Sequence, residues 1–335
     1  GGPGAGMGRG GVSGGGAHAR SRQLGVSGYS GVQGMNKVKR PLLKQVTAYG
    51  KLARASLMVV GIATQVVLIA GDVQAGPFED AATAYEMKDY TTAATLLRPV
   101  AEGGLAAAQH NLGFLYEKGR GVPQDYAEAA RWYRKAADQG YLSSMFKLAR
   151  LHSFGLGVSQ DYAEAERLQV AIAEKGGPLA QFSLGVIYSQ GWLLPQDHEK
   201  AVRWYRRAAE QGEPQAQFNL GVACSKGLGR PQDYDEAIVW YQRAARQGYS
   251  RAQVNLGTMY SAGAGVPQNK LEAYKWYSLA IIRLPLDHAP GDQDYVSMAR
   301  RLRSELASTM TAGEIKEAER LAEDWHPVLE LVGRK

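Results

Sequence analysis

Residues 124–141 read QDYAEAARWYRKAADQGY, and close copies follow as QDHEKAVRWYRRAAEQGE at 196–213 and QDYDEAIVWYQRAARQGY at 232–249. A catalytic site has no use for copies of itself, whereas stacked architecture does. The end of the copy sets the register, because Gly140, Gly176, Gly212 and Gly248 follow one another every 36 residues. That period divides residues 105–284 into five gap-free units, 105–140, 141–176, 177–212, 213–248 and 249–284. A fixed repeat of this size marks a solenoid, in which each unit buries its apolar face against its neighbours. The chain is therefore predicted to be all-α, a solenoid of antiparallel helix pairs.

Each unit reads helix, loop, helix. In the fourth, Ala216, Leu220, Ala223 and Cys224 recur at helical spacing; in the first, Ala108, Leu112, Leu115 and Tyr116 do the same. Gly113, Gly185, Gly221 and Gly257 share one column of this first helix. A helix-interior glycine costs about 1 kcal/mol relative to alanine, so the column predicts close approach of the second helix. The loop carries Gly119 and Gly121, or Gly263 and Gly265, where left-handed backbone ends a helix. Asp125, Asp161, Asp197, Asp233 and Asn269 then stand at N-cap positions. Glu128, Glu164, Glu236 and Glu272 follow three residues later and predict capping boxes, while Lys200 breaks the pattern. The second helix presents Ala129, Trp132 and Ala136 and their equivalents, with the tryptophans filling the space between units. The second unit is degenerate: Leu168 and Gln169 replace the Trp-Tyr pair, and His152 replaces a tyrosine. A looser or more sharply turned junction is expected there.

Around the array, residues 76–104 resemble a shortened unit and read as an N-terminal capping hairpin. Residues 285–335 carry two capping helices, at about 294–306 and 312–324, the second opened by Thr311 and Glu314. Residues 1–34 hold 14 glycines and read as a disordered leader, or as translated sequence upstream of the true start. Residues 35–75 have the layout of a signal peptide: a cationic stretch, an apolar block from Leu57 to Ala70, and Val73-Gln74-Ala75 as a cleavage site. Cleavage near Ala75 sends the chain to the periplasm or outside the cell. Mitochondrial import and an uncleaved N-terminal anchor are the alternatives. The apolar block is shorter than the ~20 residues of a spanning helix, so no membrane span is expected in the mature chain.

The chain has 39 Lys and Arg against 32 Asp and Glu. Nine of the basic residues and one acid, Asp72, lie in residues 1–75, which leaves 30 basic and 31 acidic residues beyond. Nucleic acid, which calls for a basic footprint, is not the expected partner of the body. The single cysteine, Cys224, excludes an intrachain disulfide and sits on the core stripe, where an inert thiol is expected. The histidines are scattered with no HExxH spacing, so no metal site is expected. The G-x-G loops follow helices rather than strands and lack the phosphate-binding lysine, so no nucleotide cofactor is expected either.

The varied positions lie on the first-helix face opposite the leucine stripe. Phe146, Phe182, Phe218 and Val254 form one column, and Phe114, Val186 and Val222 another, interrupted by Arg150 and Thr258. Such a face is either covered by the adjacent unit or left as an apolar groove that binds a partner. Asn111, Asn219 and Asn255 share a third column, for bonds to nearby backbone or to a bound peptide. Glu117, Lys118 and Lys226 add a polar rim.

The motif NLGFLYEKGRGVPQDYAEAARWYRKAADQG and its copies resemble the Sel-one-like repeat family, a relative of the tetratricopeptide repeat. The resemblance covers residues 105–284 most strongly and extends over 76–335, where TAGEIKEAERLAEDWHP looks like the end of bacterial members. It implies a right-handed α-superhelix whose concave side, lined by first helices, binds a protein or peptide segment. The expected function is an exported interaction scaffold or regulator without catalysis. The alternative is a cell-wall or β-lactam-directed hydrolase, suggested by cysteine-rich relatives whose disulfide pair in each repeat this chain lacks.

Overall fold

The computed structural model describes residues 76–282 and 292–328. The Gly-rich leader of 1–34 and the signal layout of 35–75 lie outside the described residues, which form fourteen α-helices and no strand. α1 (Pro77–Glu86) and α2 (Tyr90–Glu102) make the first hairpin. Five pairs follow: α3 (Ala106–Lys118) with α4 (Tyr126–Asp138), then α5 (Leu142–Phe154) with α6 (Tyr162–Lys175). Next come α7 (Gly177–Gln190) with α8 (His198–Glu210), and α9 (Pro214–Lys226) with α10 (Tyr234–Arg246). The fifth pair is α11 (Ser250–Ala262) with α12 (Lys270–Ile282), and α13 (Asp292–Ala307) and α14 (Ala312–Glu323) come last. Each helix from α1 to α12 packs on the next, the nearest-neighbour order of a solenoid. α13 also packs on α11, and α14 returns to α12.

The glycine column does what its cost required. A Cβ on Gly221 would stand 2.7 Å from the ring of Tyr241, which lies flat against the bare backbone. Gly113 with Tyr133, Gly185 with Tyr205 and Gly257 with Tyr277 repeat the contact. In the second unit both partners change together: Ala149 takes the glycine position and Gln169 the tyrosine position, and both are buried. The loop glycines act between units. Gly121 has φ 70°, and a Cβ there would come within 2.0 Å of the Tyr90 carbonyl oxygen, at the start of the preceding second helix.

Asp125, Asp161, Asp197 and Asp233 cap their helices, each accepting the backbone N–H three residues on at 2.8–3.0 Å. The capping boxes predicted at Glu128, Glu164, Glu236 and Glu272 do not form. The N-cap N–H that a box needs donates instead across the hairpin, from Asp125 to the Tyr116 carbonyl, Asp161 to His152, Asp233 to Cys224 and Asn269 to Tyr260. The glutamates turn to cations and indoles: Glu128 accepts from Arg131, Glu164 from Arg167, and Glu236 from Arg206 and Trp240. Among the described residues only the Thr311–Glu314 pair at α14 closes both halves of a box.

The Gln-Gly doublet joins neighbouring units. Gln217 donates to the Ala209 carbonyl of the preceding unit at 3.1 Å, and Gln247 donates to the Gln217 side chain and to the Gly212 carbonyl. Gln109 and Gln139 repeat this with Ala101 and Gly104. Met145 and Lys175 hold the equivalent places in the second unit, which loses the bond set. The tryptophans break one junction later. Trp132, Trp240 and Trp276 are buried, but Trp204, facing the helix that carries Leu168, is half-buried. It lines a 310 Å³ pocket with Val170, Tyr188 and Lys200 between α6, α7 and α8. The second unit thus lacks the glutamine bonds on its first-unit side and has the half-buried tryptophan and the pocket on its third-unit side.

Candidate protein-binding face

The first helices α3, α5, α7, α9 and α11 each turn the leucine stripe toward their own second helix, so the columns opposite that stripe form a continuous face. The 36-residue register places His110, Phe146, Phe182, Phe218 and Val254 in one line, and Phe114, Arg150, Val186, Val222 and Thr258 in the next. Cover along this face is graded. Phe146 is 37% exposed, Phe182, Val186 and Val222 are half-buried, and Phe218 is 5% exposed. Phe182 packs at 5.9 Å from Tyr205. Phe218 is enclosed by Tyr241, Tyr249 and Tyr295 at 5.4–6.4 Å between ring centroids.

Tyr295 belongs to α13, and that helix is what closes the last part of the face. Its Tyr295, Met298, Ala299 and Leu302 join Val254 and Tyr277 in one apolar cluster. Arg251 of α11 lies over the Tyr295 ring at 5.3 Å. The capping helix expected at about 294–306 thus covers the final unit as its role required, but it does so on the very columns read as a groove. Phe218 and Asn255 are consequently buried beneath the chain itself.

The asparagine column divides. Asn219 donates to the Gln215 carbonyl one turn back at 2.8 Å, a local bond. Asn255 is buried and hydrogen-bonded to the Tyr241 hydroxyl. Asn111 is exposed. Lys147 takes this column in the second unit, and Arg150 takes the phenylalanine column.

Those two cations make the first two units a different kind of surface. Glu117, read from the sequence as part of a rim, is 1% exposed. It lies 2.8 Å from Lys118, 3.2 Å from Lys147 and 3.0 Å from Arg150, and it accepts from the Tyr133 hydroxyl at 2.8 Å. Burial pushes its carboxyl up, but Lys147, Lys118, Arg150 and Tyr133 outweigh that and hold it at about 2. The sequence signal was present in Lys147 and Arg150, one unit after Asn111 and Phe114. What it lacked was any sign that both would converge on a carboxylate from the preceding helix. Beside this cluster, burial and then Lys147 lower His110 to about 4, so its ring is neutral at pH 7 and meets Ser144 at 2.8 Å through Nδ1.

Burial lifts the Cys224 thiol to about 11, which keeps it protonated at neutral pH. Among the described residues no three His, Cys, Asp or Glu side chains converge on a metal position. No helix among them is long and apolar enough to cross a membrane.

The Sel1 repeat matches residues 106–141, 142–168, 178–213, 214–249 and 250–282, half of the chain. Its second match stops at Leu168, where the unit loses the Trp-Tyr pair. Among similar solved structures is a protective antigen of uropathogenic Escherichia coli strains displaying an SLR fold. It is 33% identical over 74% of this chain, with a TM-score of 0.48. The chain spans about half of that antigen, 52% of its length. A Sel1 repeat protein from Oxalobacter formigenes is 28% identical over 67% of this chain and 99% of its own, with a TM-score of 0.47. No curated protein matches the chain. With five matched units stacked in unbroken 36-residue register, the chain belongs to the Sel1 repeat family, whose members are generally protein-interaction scaffolds.

Proposed function

We propose that this chain is an exported, non-catalytic scaffold that holds a segment of another protein along the concave, first-helix side of its superhelix. The observation that carries this reading is the graded face: Phe146 is 37% exposed and Phe182 half-buried in columns that, among the described residues, α13 covers at Phe218 and Val254. An apolar strip left open beside a filled one is the form of a helix-binding groove. Export rests on the signal layout of residues 35–75.

Affinity capture from a periplasmic extract, with the wild-type chain and a Phe146→Asp/Phe182→Asp variant as baits, tests the reading. A partner held by the wild type and lost by the variant, with the helical melting curve unchanged, is the expected result. A partner that the variant retains would move the working surface elsewhere. Mass spectrometry of the exported chain should find Gly76 as its first residue; an intact N-terminus in that compartment argues against cleavage.

A further inference from the structure

Charge is sorted between the two layers of helices. The five first helices carry Lys118, Lys147, Arg150, Lys226 and Arg251 and a single acid, Glu117. The other acids of the repeats lie on the second helices and the loops, where Glu164, Glu166, Glu174 and Glu236 already have Arg or Lys partners. The one acid of the first-helix face is withdrawn from solvent, while Lys118, Lys147 and Arg150 remain 44%, 24% and 27% exposed. A visitor to this face therefore meets cations and apolar rings.

The cations gather at one end. The Phe114 ring has Lys147 at 5.1 Å, Lys118 at 5.8 Å and Arg120 at 5.9 Å, and Arg150 pairs with Glu117 at 3.0 Å. Three of these positive groups, Lys118, Lys147 and Arg150, share one buried carboxylate, a local excess that raises the cost of bringing them together and that an incoming anion would relieve. Next along the face come Phe146, Phe182 and Val186, uncharged and partly open. Beyond them α13 already lies on the last units, with Tyr295 on Phe218 and Arg251 on Tyr295. The chain thus demonstrates on its own face that a helix fits there, aromatic side chain against the phenylalanine column.

We infer that the face of the first two units, around Phe114, Lys118, Lys147 and Arg150, is built to receive an acidic amphipathic helix of a partner protein. Its carboxylates meet the cations and its apolar side chains continue over Phe146 and Phe182, in line with α13. This rests on the scaffold reading above and adds the chemistry of the occupant. The uncharged stretch from Phe182 to Val222 favours an amphipathic peptide over nucleic acid, whose backbone would want positive charge along its whole track.

The test uses the full chain and two fluorescein-labelled 18-residue helical peptides. One carries glutamates on its polar face and leucines with one phenylalanine on the other; its copy has every glutamate replaced by glutamine. Anisotropy titrations at low and physiological salt are expected to show the glutamate peptide binding at least tenfold more tightly. The advantage shrinks as salt screens the contact, and Lys118→Gln reduces it severalfold. Lys118 is exposed and Glu117 keeps Lys147 and Arg150, so this variant retains its fold; Lys147→Gln is a second, with its helical melting curve recorded alongside. Equal binding of both peptides, lost in Phe146→Asp/Phe182→Asp, would overturn the acidic preference and leave the scaffold reading standing. Binding of neither peptide overturns the inference, while the capture experiment judges the scaffold reading independently. A glutamate preference untouched by Lys118→Gln and Lys147→Gln also overturns it, and so does a 20-nucleotide single strand that displaces the acidic peptide and binds more tightly.

Discussion

At the scale of single residues, the repeat is held by pairs that the sequence shows as columns but cannot show as contacts. Gly221 and Tyr241 sit in two different helices, and the glycine is explained only by the ring 2.7 Å from where its Cβ would be. Gly221→Ala is expected to destabilise the chain by about 1–3 kcal/mol, the cost of overpacking a filled core. In a Tyr241→Gln background the same substitution should cost much less, because the second unit already lives with Ala149 and Gln169. A double-mutant cycle in urea measures this coupling, and additive effects would show that the ring is not what the glycine serves. The column was legible; its partner became legible only once Ala149 and Gln169 were seen to change together. The glutamates at the third helical position misled for the opposite reason. Local spacing matched a capping box, but a hairpin bond from Asp233 to the Cys224 carbonyl had already taken the donor.

Between elements, the contact of α3, α4 and α5 is electrostatic at its centre. His110 has a folded value of about 4 against an ordinary 6.5, so the unfolded chain binds the proton more readily. Its contribution is present above pH 6.5 and is lost as pH falls from 6.5 to 4. Glu117, at about 2 against an ordinary 4.5, contributes above pH 4.5 and loses that contribution as pH falls toward 2. The two windows meet, and stability is expected to decline in two successive stages on acidification, each on the order of 1–3 kcal/mol. Urea midpoints measured from pH 7 to pH 3 check this. His110→Gln should flatten the first stage and keep the second; a slope unchanged between pH 6.5 and 4.5 in that variant would remove His110 as its source. The last helices make the same point about elements. Capping helices near 294–306 and 312–324 were readable from periodicity and from Thr311 with Glu314. The seat of α13 on Phe218 and Val254 was not, because its apolar side chains match any apolar face and only packing chooses one.

For the array as a whole, stability in a solenoid is close to a sum of unit and junction terms. The junction after the second unit has its tryptophan, Trp204, only half-buried and holds a 310 Å³ pocket. Hydrogen exchange under rising urea is expected to release α1–α6 and α7–α14 as separate cooperative blocks. A single block that exchanges together would show that this junction is as strong as the rest. The amino-acid sequence alone determined the all-α class, the 36-residue register, the five units and the weak unit among them. Those properties are local and periodic, and each copy reports them again. Tertiary structure alone decided which stretch of the first-helix face stays open, where the buried Glu117 carboxylate collects its cations, and where α13 lies. These depend on side chains far apart in sequence meeting in space, and the hydrophobic drive that brings them together has no direction of its own.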